Sequence, residues 1–280
     1  MKRVLLLGKT GFIGSNIEVC LRKQCIITAP ARDELDLLNT NAVRAYINNR
    51  KFDVVVHLAN PTGHNAVDKE DEIFERSLRV FTSLLHCNEL YEKMIYIGSG
   101  AEYGKHRAIV NARECEFGQE LPCDSYGLSR YIMSELAEKS KNIYNLRVFG
   151  CYGIGDPLHK LIPFIISCIR KDKPIALRQN TVFDFLYVKD IAPVIMHFIE
   201  NEPEHKVYNL CSGEPILIGS IAEKIRCQMN SNVPISFKKE GYGLEYTGNN
   251  ERLRLEKQNW CPRLIDEGIK EIIDCENWEY

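Results

Sequence analysis

The sequence has no apolar run approaching the ~20 residues that a membrane-spanning helix needs. After the charged start Met1-Lys2-Arg3, the first apolar run is only Val4 to Leu7. It stops at Gly8, short of the roughly 7 residues of a secretory core. A soluble, cytoplasmic chain is the expectation. No CxxC pair occurs, and no cysteine–histidine cluster has zinc-ligand spacing. The 11 cysteines are scattered, so they read as reduced thiols, many of them packed in the core, and no metal is expected. An excess of one charge is also lacking. The formal net charge is -2, and the 26% of charged residues fall in short mixed blocks such as Lys171-Asp172-Lys173. This excludes a strong basic field for nucleic acid and an acidic tail. Internal repeats, low-complexity tracts and flexible linkers are absent as well.

What is present is enough apolar material for a full core, 45% of 280 residues, in one large domain or two intimate lobes. The first half alternates short apolar runs with amphipathic stretches. Strands are expected at Arg3–Leu7, Cys25–Ala29, Asp53–Leu58, Lys93–Gly98 and Ile143–Phe149. Helices are expected at Gly11–Lys23, from a Thr40 cap to Asn49, at Glu70–Leu90 and at Ser125–Ser140. Asp53–Leu58 is β-branched, continuous and short, as a strand buried on both faces should be. The alternation predicts an α/β fold, a Rossmann-like doubly wound parallel sheet with helices on both faces. The second half is less regular. Helices are expected at Leu161–Arg170, Asp190–Glu200, Ile216–Gln228 and Asp266–Asp274, and strands at Phe183–Val188, Val207–Leu210 and Pro234–Lys238. Residues 1–155 are read as the dinucleotide-binding domain, with 178–205 returning to it. Residues 156–177 and 206–280 are read as a smaller, interwoven α/β substrate lobe.

The turn Gly8-Lys9-Thr10-Gly11-Phe12-Ile13-Gly14 follows a strand and opens a helix. The first glycine permits a tight turn, the second lets the backbone approach a pyrophosphate, and the third allows close helix–strand packing. The helix N-terminus offers N–H groups and partial positive charge to the phosphates. The second strand then runs into Ala31-Arg32-Asp33-Glu34-Leu35-Asp36-Leu37. Arg32 and Lys9 are candidate partners for a 2′-phosphate, which favours NADP. Asp33 could instead take a ribose hydroxyl, which keeps NAD open.

Beyond the strand Lys93–Gly98 lies Ser99-Gly100-Ala101-Glu102-Tyr103-Gly104, and reactive groups of open α/β sheets sit at such carboxyl ends. Tyr126 and Arg130 are four apart on a helix, so both can face one ligand. A tyrosine that exchanges protons near neutrality needs a cation beside it, and Arg130 can supply one. Ser99, Tyr126 and Arg130 are therefore the candidate catalytic set.

These residues resemble the extended short-chain dehydrogenase/reductase superfamily, the NAD-dependent epimerase/dehydratases. The likeness rests on GxxGFIG, on Ser-x-x-x-Tyr-Gly and on Tyr126-Gly127-Leu128-Ser129-Arg130, which is similar to the family's YxxxK. It extends through Leu146 to Gly153 (LRxxNxYG), Phe183 to Ala192 (RDFxYVxDxA), Asn209 to Gly213 (NxxSG) and Trp260-Cys261-Pro262 (GWxP), nearly the whole chain. The segment ARDELDLLN is similar to the GDP-L-fucose synthase and dTDP-4-dehydrorhamnose reductase types. The resemblance implies that Ser99 bonds the sugar oxygen, that Tyr126 is the general acid/base and that Arg130 stands at the family lysine. It also implies that Leu58, Ala59 and Asn60 line the cofactor site and that Asp36 and Leu37 flank the adenine. Gly100, Ala101, Phe149, Gly150 and Lys160 are then candidate sugar contacts, with Arg178 or Arg252 for the diphosphate. A homodimer through the Glu70–Leu90 and Ser125–Ser140 helices is expected on the same ground.

Departures from the family narrow the reaction. Arginine replaces lysine at 130, glycine replaces asparagine at 150, Phe183 replaces an arginine and Ser77 an asparagine. The acid–base pair that sugar 4,6-dehydratases carry after their Ser/Thr is here Gly100-Ala101, so dehydration is not expected. The cysteine and histidine with which GDP-L-fucose synthases epimerise ring carbons are here Ala101 and Lys160, with His159 one residue off. Plain hydride transfer remains: an NADP(H)-dependent reductase of a nucleotide-linked 4-keto-6-deoxy sugar. The alternatives are a 4-epimerase holding NAD, and a cofactor-binding protein whose catalysis is impaired by Arg130.

Overall fold

The computed structural model describes residues 1–60 and 70–275. The end of the expected second lobe, 276–280, lies outside the described residues. In chain order the elements are β1 (Arg3–Leu7), α1 (Phe12–Leu21), β2 (Ile26–Thr28), α2 (Thr40–Arg50), β3 (Val54–His57), α3 (Glu70–Leu85), β4 (Lys93–Ser99) and β5 (Ile109–Ala112). Then come α4 (Ser125–Lys139), β6 (Ile143–Val148), β7 (Gly150–Tyr152), α5 (Leu161–Arg170), β8 (Ile175–Leu177), β9 (Val182–Tyr187) and α6 (Ile191–Glu200). The chain ends with β10 (Val207–Leu210), β11 (Pro215–Leu217), α7 (Ile218–Gln228), β12 (Ile235–Phe237), β13 (Tyr246–Gly248), α8 (Glu251–Glu256) and α9 (Ile265–Ile273).

Six parallel strands form the main sheet, in the order β2-β1-β3-β4-β6-β10. All four residues of β3 and all six of β6 are buried, as strands covered on both faces must be. One face packs Ile17 and Leu21 of α1 with Val194, Ile195 and Phe198 of α6. The other packs Val43 and Ile47 of α2, Phe81 and Leu84 of α3 and Met133 of α4. From β1 the chain moves to β2 on one side and then crosses to β3 on the other. Strand order reverses there, and the reversal opens a crevice between the carboxyl ends of β1 and β3.

A second sheet runs β11-β9-β13-β5, with β7 also on β9, and β12 pairs with β8 in a two-stranded sheet. Helices α5, α7 and α9 bury Ile162, Ile166, Ile221, Ile225, Ile269 and Ile272 in a core of their own. A small cluster of Tyr103, Ile109, Phe149, Cys211 and Tyr246 joins the two sheets.

Several elements differ from expectation. The strand expected to return to the first lobe, now β9, belongs to the second sheet; the helix after it, α6, makes the return. Val207–Leu210, expected in the second lobe, is the edge strand of the main sheet beside β6. Both runs are short and apolar, and nothing local states which sheet edge is free to accept them. Asn39, not Thr40, caps α2, because its side chain accepts the Ala42 N–H. The helix expected to Leu90 stops at Leu85, where Tyr91 donates its hydroxyl to the Leu84 carbonyl at 2.8 Å and Asn88–Leu90 forms a 3-10 turn. Of the 11 cysteines, only Cys25, Cys87 and Cys211 are buried, fewer than a core-packed set would give.

Candidate active site

The three glycines after β1 are demanded by different neighbours. Gly8 has φ +92°, and a Cβ there would lie 2.6 Å from the Ala59 nitrogen, so the ends of β1 and β3 approach too closely for a side chain. A Cβ on Gly14 would lie 2.2 Å from the Gly8 carbonyl oxygen. Gly11 meets no such obstacle; the nearest atom to its Cβ would be the Gly8 oxygen at 3.4 Å. The protein's own packing does not require glycine at 11. It caps α1 without a side-chain bond, no acidic residue stands in the first turn, and the first N–H groups of the helix are left for a ligand.

Around this turn is a cleft of about 550 Å³. Its walls include residues 8–14, Pro30, Arg32, Asp36, Leu37, Leu58, Ala59 and Asn60, so the expected cofactor residues of three separate chain segments meet at the switch point. Arg32 is exposed on the wall and makes no ion pair among the described residues, whereas the neighbouring Asp33 is not on the wall. Asp36 accepts the Leu38 N–H. Arg76 of α3 also lines the cleft, a contribution that sequence spacing did not reveal. Ser77, beside it, faces Asn60 at 3.5 Å.

Ser99 ends β4 and starts a buried 3-10 turn, Gly100–Tyr103. Its Oγ accepts the Ala101 N–H at 3.1 Å, and its own N–H goes to Glu102 Oε1 at 2.9 Å. With one lone pair engaged by Ala101, the hydroxyl also meets that of Tyr246. Glu102 in turn pairs with Arg147, and Asn145 and Ser134 complete the buried network. Tyr126 is half-buried in the first turn of α4, which Asp124 caps through the Gly127 N–H at 2.7 Å.

Arg130 is 4% exposed, and its guanidinium carbon lies 5.1 Å from the Tyr126 ring centroid. It donates to the hydroxyl of Tyr96 at 2.9 Å. Two further groups join Ser99 and Tyr126. Tyr246 of β13 interacts with both, its hydroxyl facing the Gly100 backbone. Lys105 places its ammonium 4.4 Å from the Tyr246 ring centroid, within electrostatic reach of Tyr126 and Lys160. Neither was legible in the sequence, because Tyr246 arrives from the far end of the chain and Lys105 lies in a loop without a pattern.

Several of the expected sugar contacts are buried or already paired. Ala101 is fully buried. Gly100 is buried too, and a Cβ on it would lie 2.6 Å from Tyr246 Oη and 2.8 Å from the Phe149 ring. Phe149 is 6% exposed and packs between Tyr103 and Tyr246. Gly150 lies where β7 runs parallel to β9 at close range: a Cβ would lie 2.3 Å from the Asp184 carbonyl oxygen, so the family asparagine does not fit this backbone. Arg252 is tied to the Val207 carbonyl at 3.0 Å and to Glu114, at the amino end of β10, so structural partners occupy it. Arg178 is exposed just after β8, and Lys160 is exposed at the N-cap of α5.

Residues 4–211 match the model of the NAD dependent epimerase/dehydratase family. The chain belongs to this family. As a member of it, the protein is an NAD(P)-dependent enzyme. It is 26% identical to GDP-6-deoxy-D-talose 4-dehydrogenase of Aggregatibacter actinomycetemcomitans, over 75% of this chain and 74% of that one. It is 25% identical to dTDP-4-dehydro-6-deoxyglucose reductase of Escherichia coli, over 96% of each. The crystal structure of a GDP-L-fucose synthetase from Naegleria fowleri bound to NADP superposes with a TM-score of 0.83 at 16% identity, over 97% of this chain and 91% of that one. This places the fold of the epimerase/dehydratase member described here among its solved relatives.

Proposed function

We propose that this epimerase/dehydratase family member is an NADPH-dependent reductase of a nucleotide-linked 4-keto-6-deoxy sugar. The observation that carries the reading is the convergence of Ser99, Tyr126 and Tyr246 at the carboxyl end of β4, beside a phosphate-ready glycine turn. Two relatives whose names describe redox change at position 4 of a 6-deoxy nucleotide sugar support it. Lys9, Arg32 and Arg76 on the cleft wall supply the positive charge that a 2′-phosphate needs, which supports NADP over NAD.

A nicotinamide cofactor held against the glycine turn would supply the hydride for the carbonyl carbon. Ser99, its Oγ already accepting the Ala101 N–H, donates to the carbonyl oxygen and polarises it. Tyr126 gives its hydroxyl proton to that oxygen, so the ketone becomes an alcohol. Arg130 sets positive charge against the Tyr126 ring as the oxygen loses its proton. Lys105 and Lys160, close enough to feel each other's charge and exposed, favour the anionic diphosphate of the substrate.

Dehydration is disfavoured by space as well as by composition. The side chains a dehydratase needs after its serine would have to enter the volume held by Phe149 and Tyr246, and position 101 is sealed in the core. The test is a panel of nucleotide-linked 4-keto-6-deoxy sugars with NADPH and NADH, following loss of reduced nicotinamide absorbance. NADPH oxidation with at least one of them is expected, and none with any of them refutes the reading.

A further inference from the structure

The arginine at position 130 has a dedicated partner. A guanidinium is longer than an ammonium, planar and carries five N–H groups, so it does not drop into a lysine site unaided. Here Arg130 is buried, its Nη1 donates to Tyr96 Oη at 2.9 Å, and its Nε is shielded without a hydrogen-bond partner. Tyr96 is itself enclosed on several sides. It lies on β4 at 1% exposure, stacks on His57 at 5.6 Å between ring centroids and meets Phe81 edge-on at 5.1 Å. His57 stands directly across in the β3–β4 register. Burial, and then the Arg130 charge, push the His57 imidazole down to about 3, so it is neutral and does not compete with Arg130 as a second cation.

We propose that Tyr96 is a positioning residue that lets an arginine do the work of the family lysine. Its hydroxyl takes one N–H and draws the excess length of the side chain back toward β4. The guanidinium then stays beside the Tyr126 ring, and its outer Nη donors, not the shielded Nε, are the ones that serve the ribose of the cofactor. The proposal rests on the functional reading above for the role of Tyr126, but its test is read first in cofactor binding, which needs no substrate.

NADPH affinity, by nicotinamide fluorescence, is to be compared in wild type, Tyr96→Phe, Arg130→Lys and the double variant, with melting temperatures of the cofactor-free proteins alongside. Tyr96→Phe keeps the ring and its stacking and removes only the acceptor. It is expected to weaken NADPH binding about tenfold, the scale of one lost hydrogen bond to a charged group. The double variant is expected to bind within about threefold of Arg130→Lys alone, because an ammonium does not need the Tyr96 oxygen. In turnover, Tyr96→Phe should lower kcat, with the Arg130→Lys change in the same chain recovering it. Undiminished affinity in Tyr96→Phe overturns the proposal. So does a double variant impaired by the product of the two single effects, or a lowered melting temperature with unchanged affinity. If Tyr96→Phe does not fold, Arg130→Met decides instead: unchanged NADPH affinity there overturns the proposal, and a loss of about tenfold supports it. Should cofactor binding respond as expected while no sugar is reduced, the functional reading fails and this one stands.

Discussion

Glu102 and Arg147 form an ion pair in which neither side chain reaches solvent. The pair sits directly behind Ser99, since the other oxygen of Glu102 accepts the Ser99 N–H. A charge network therefore fixes the backbone of the residue that would polarise the substrate. Breaking a buried pair from one side is far costlier than its net contribution, because the remaining charge is stranded. Glu102→Gln is expected to lower stability by roughly 3–5 kcal/mol, read as a shifted urea midpoint. An unchanged midpoint would show that Arg147 is satisfied by its other partners, Ser134, Glu138 and Tyr103, alone.

The glycine turn separates structure from ligand binding. Gly14→Ala drives a Cβ into the Gly8 carbonyl and should lower the melting temperature. Gly11→Ala should leave the melting temperature of the cofactor-free protein nearly unchanged and weaken NADPH binding about tenfold or more. If Gly11→Ala binds NADPH as wild type does, the phosphates do not lie against α1.

Cofactor preference should reside in Arg32. On the proposed NADPH reading, replacing it with alanine would remove a charge-assisted contact to the 2′-phosphate and nothing that NAD uses. KM for NADPH should rise about tenfold or more, with KM for NADH little altered. Equal effects on both would place Arg32 away from the 2′ position.

Two buried groups give opposite pH slopes. His57 is depressed from 6.5 to about 3, chiefly by burial. The unfolded chain takes up that proton and the folded one does not, so this contribution is complete above 6.5 and is lost as pH falls toward 3. Asp156 is raised from 3.8 to about 7, again by burial, against the pull of Lys160. Its contribution is complete below 3.8 and is lost as pH rises through 7. Between 3.8 and 6.5 the two slopes, each about 1.4 kcal/mol per pH unit, oppose each other in the wild type. Unfolding free energies of His57→Phe and Asp156→Asn, each subtracted from wild type across this range, should therefore slope in opposite directions. A flat difference for either variant removes that group from the balance.

Much of the first lobe was legible because its signals are local. A continuous apolar run such as Val54–Val56 must be buried on both faces, and glycines at fixed spacing after a strand open a phosphate-ready turn. The positions of Ser99 at the end of a strand and of Tyr126 and Arg130 four apart on one helix were also legible, because each is set within a single element. The second lobe was less so. The short strand Val207–Leu210 carries no mark of the sheet it joins, and pairing with β6 depends on an edge left open by the rest of the fold.

By itself, the sequence determined that a parallel α/β sheet would present a glycine turn, a serine and a tyrosine along its carboxyl edge, because each of those features is set by spacing along a single element. Only the tertiary structure decided what surrounds them. It brought Tyr246 and Lys105 to Ser99 and Tyr126, sealed Ala101 and Phe149 in the core, tied Arg252 to β10 and gave Arg130 the hydroxyl of Tyr96. These contacts join residues distant in sequence, and close packing in three dimensions, not local propensity, selects them.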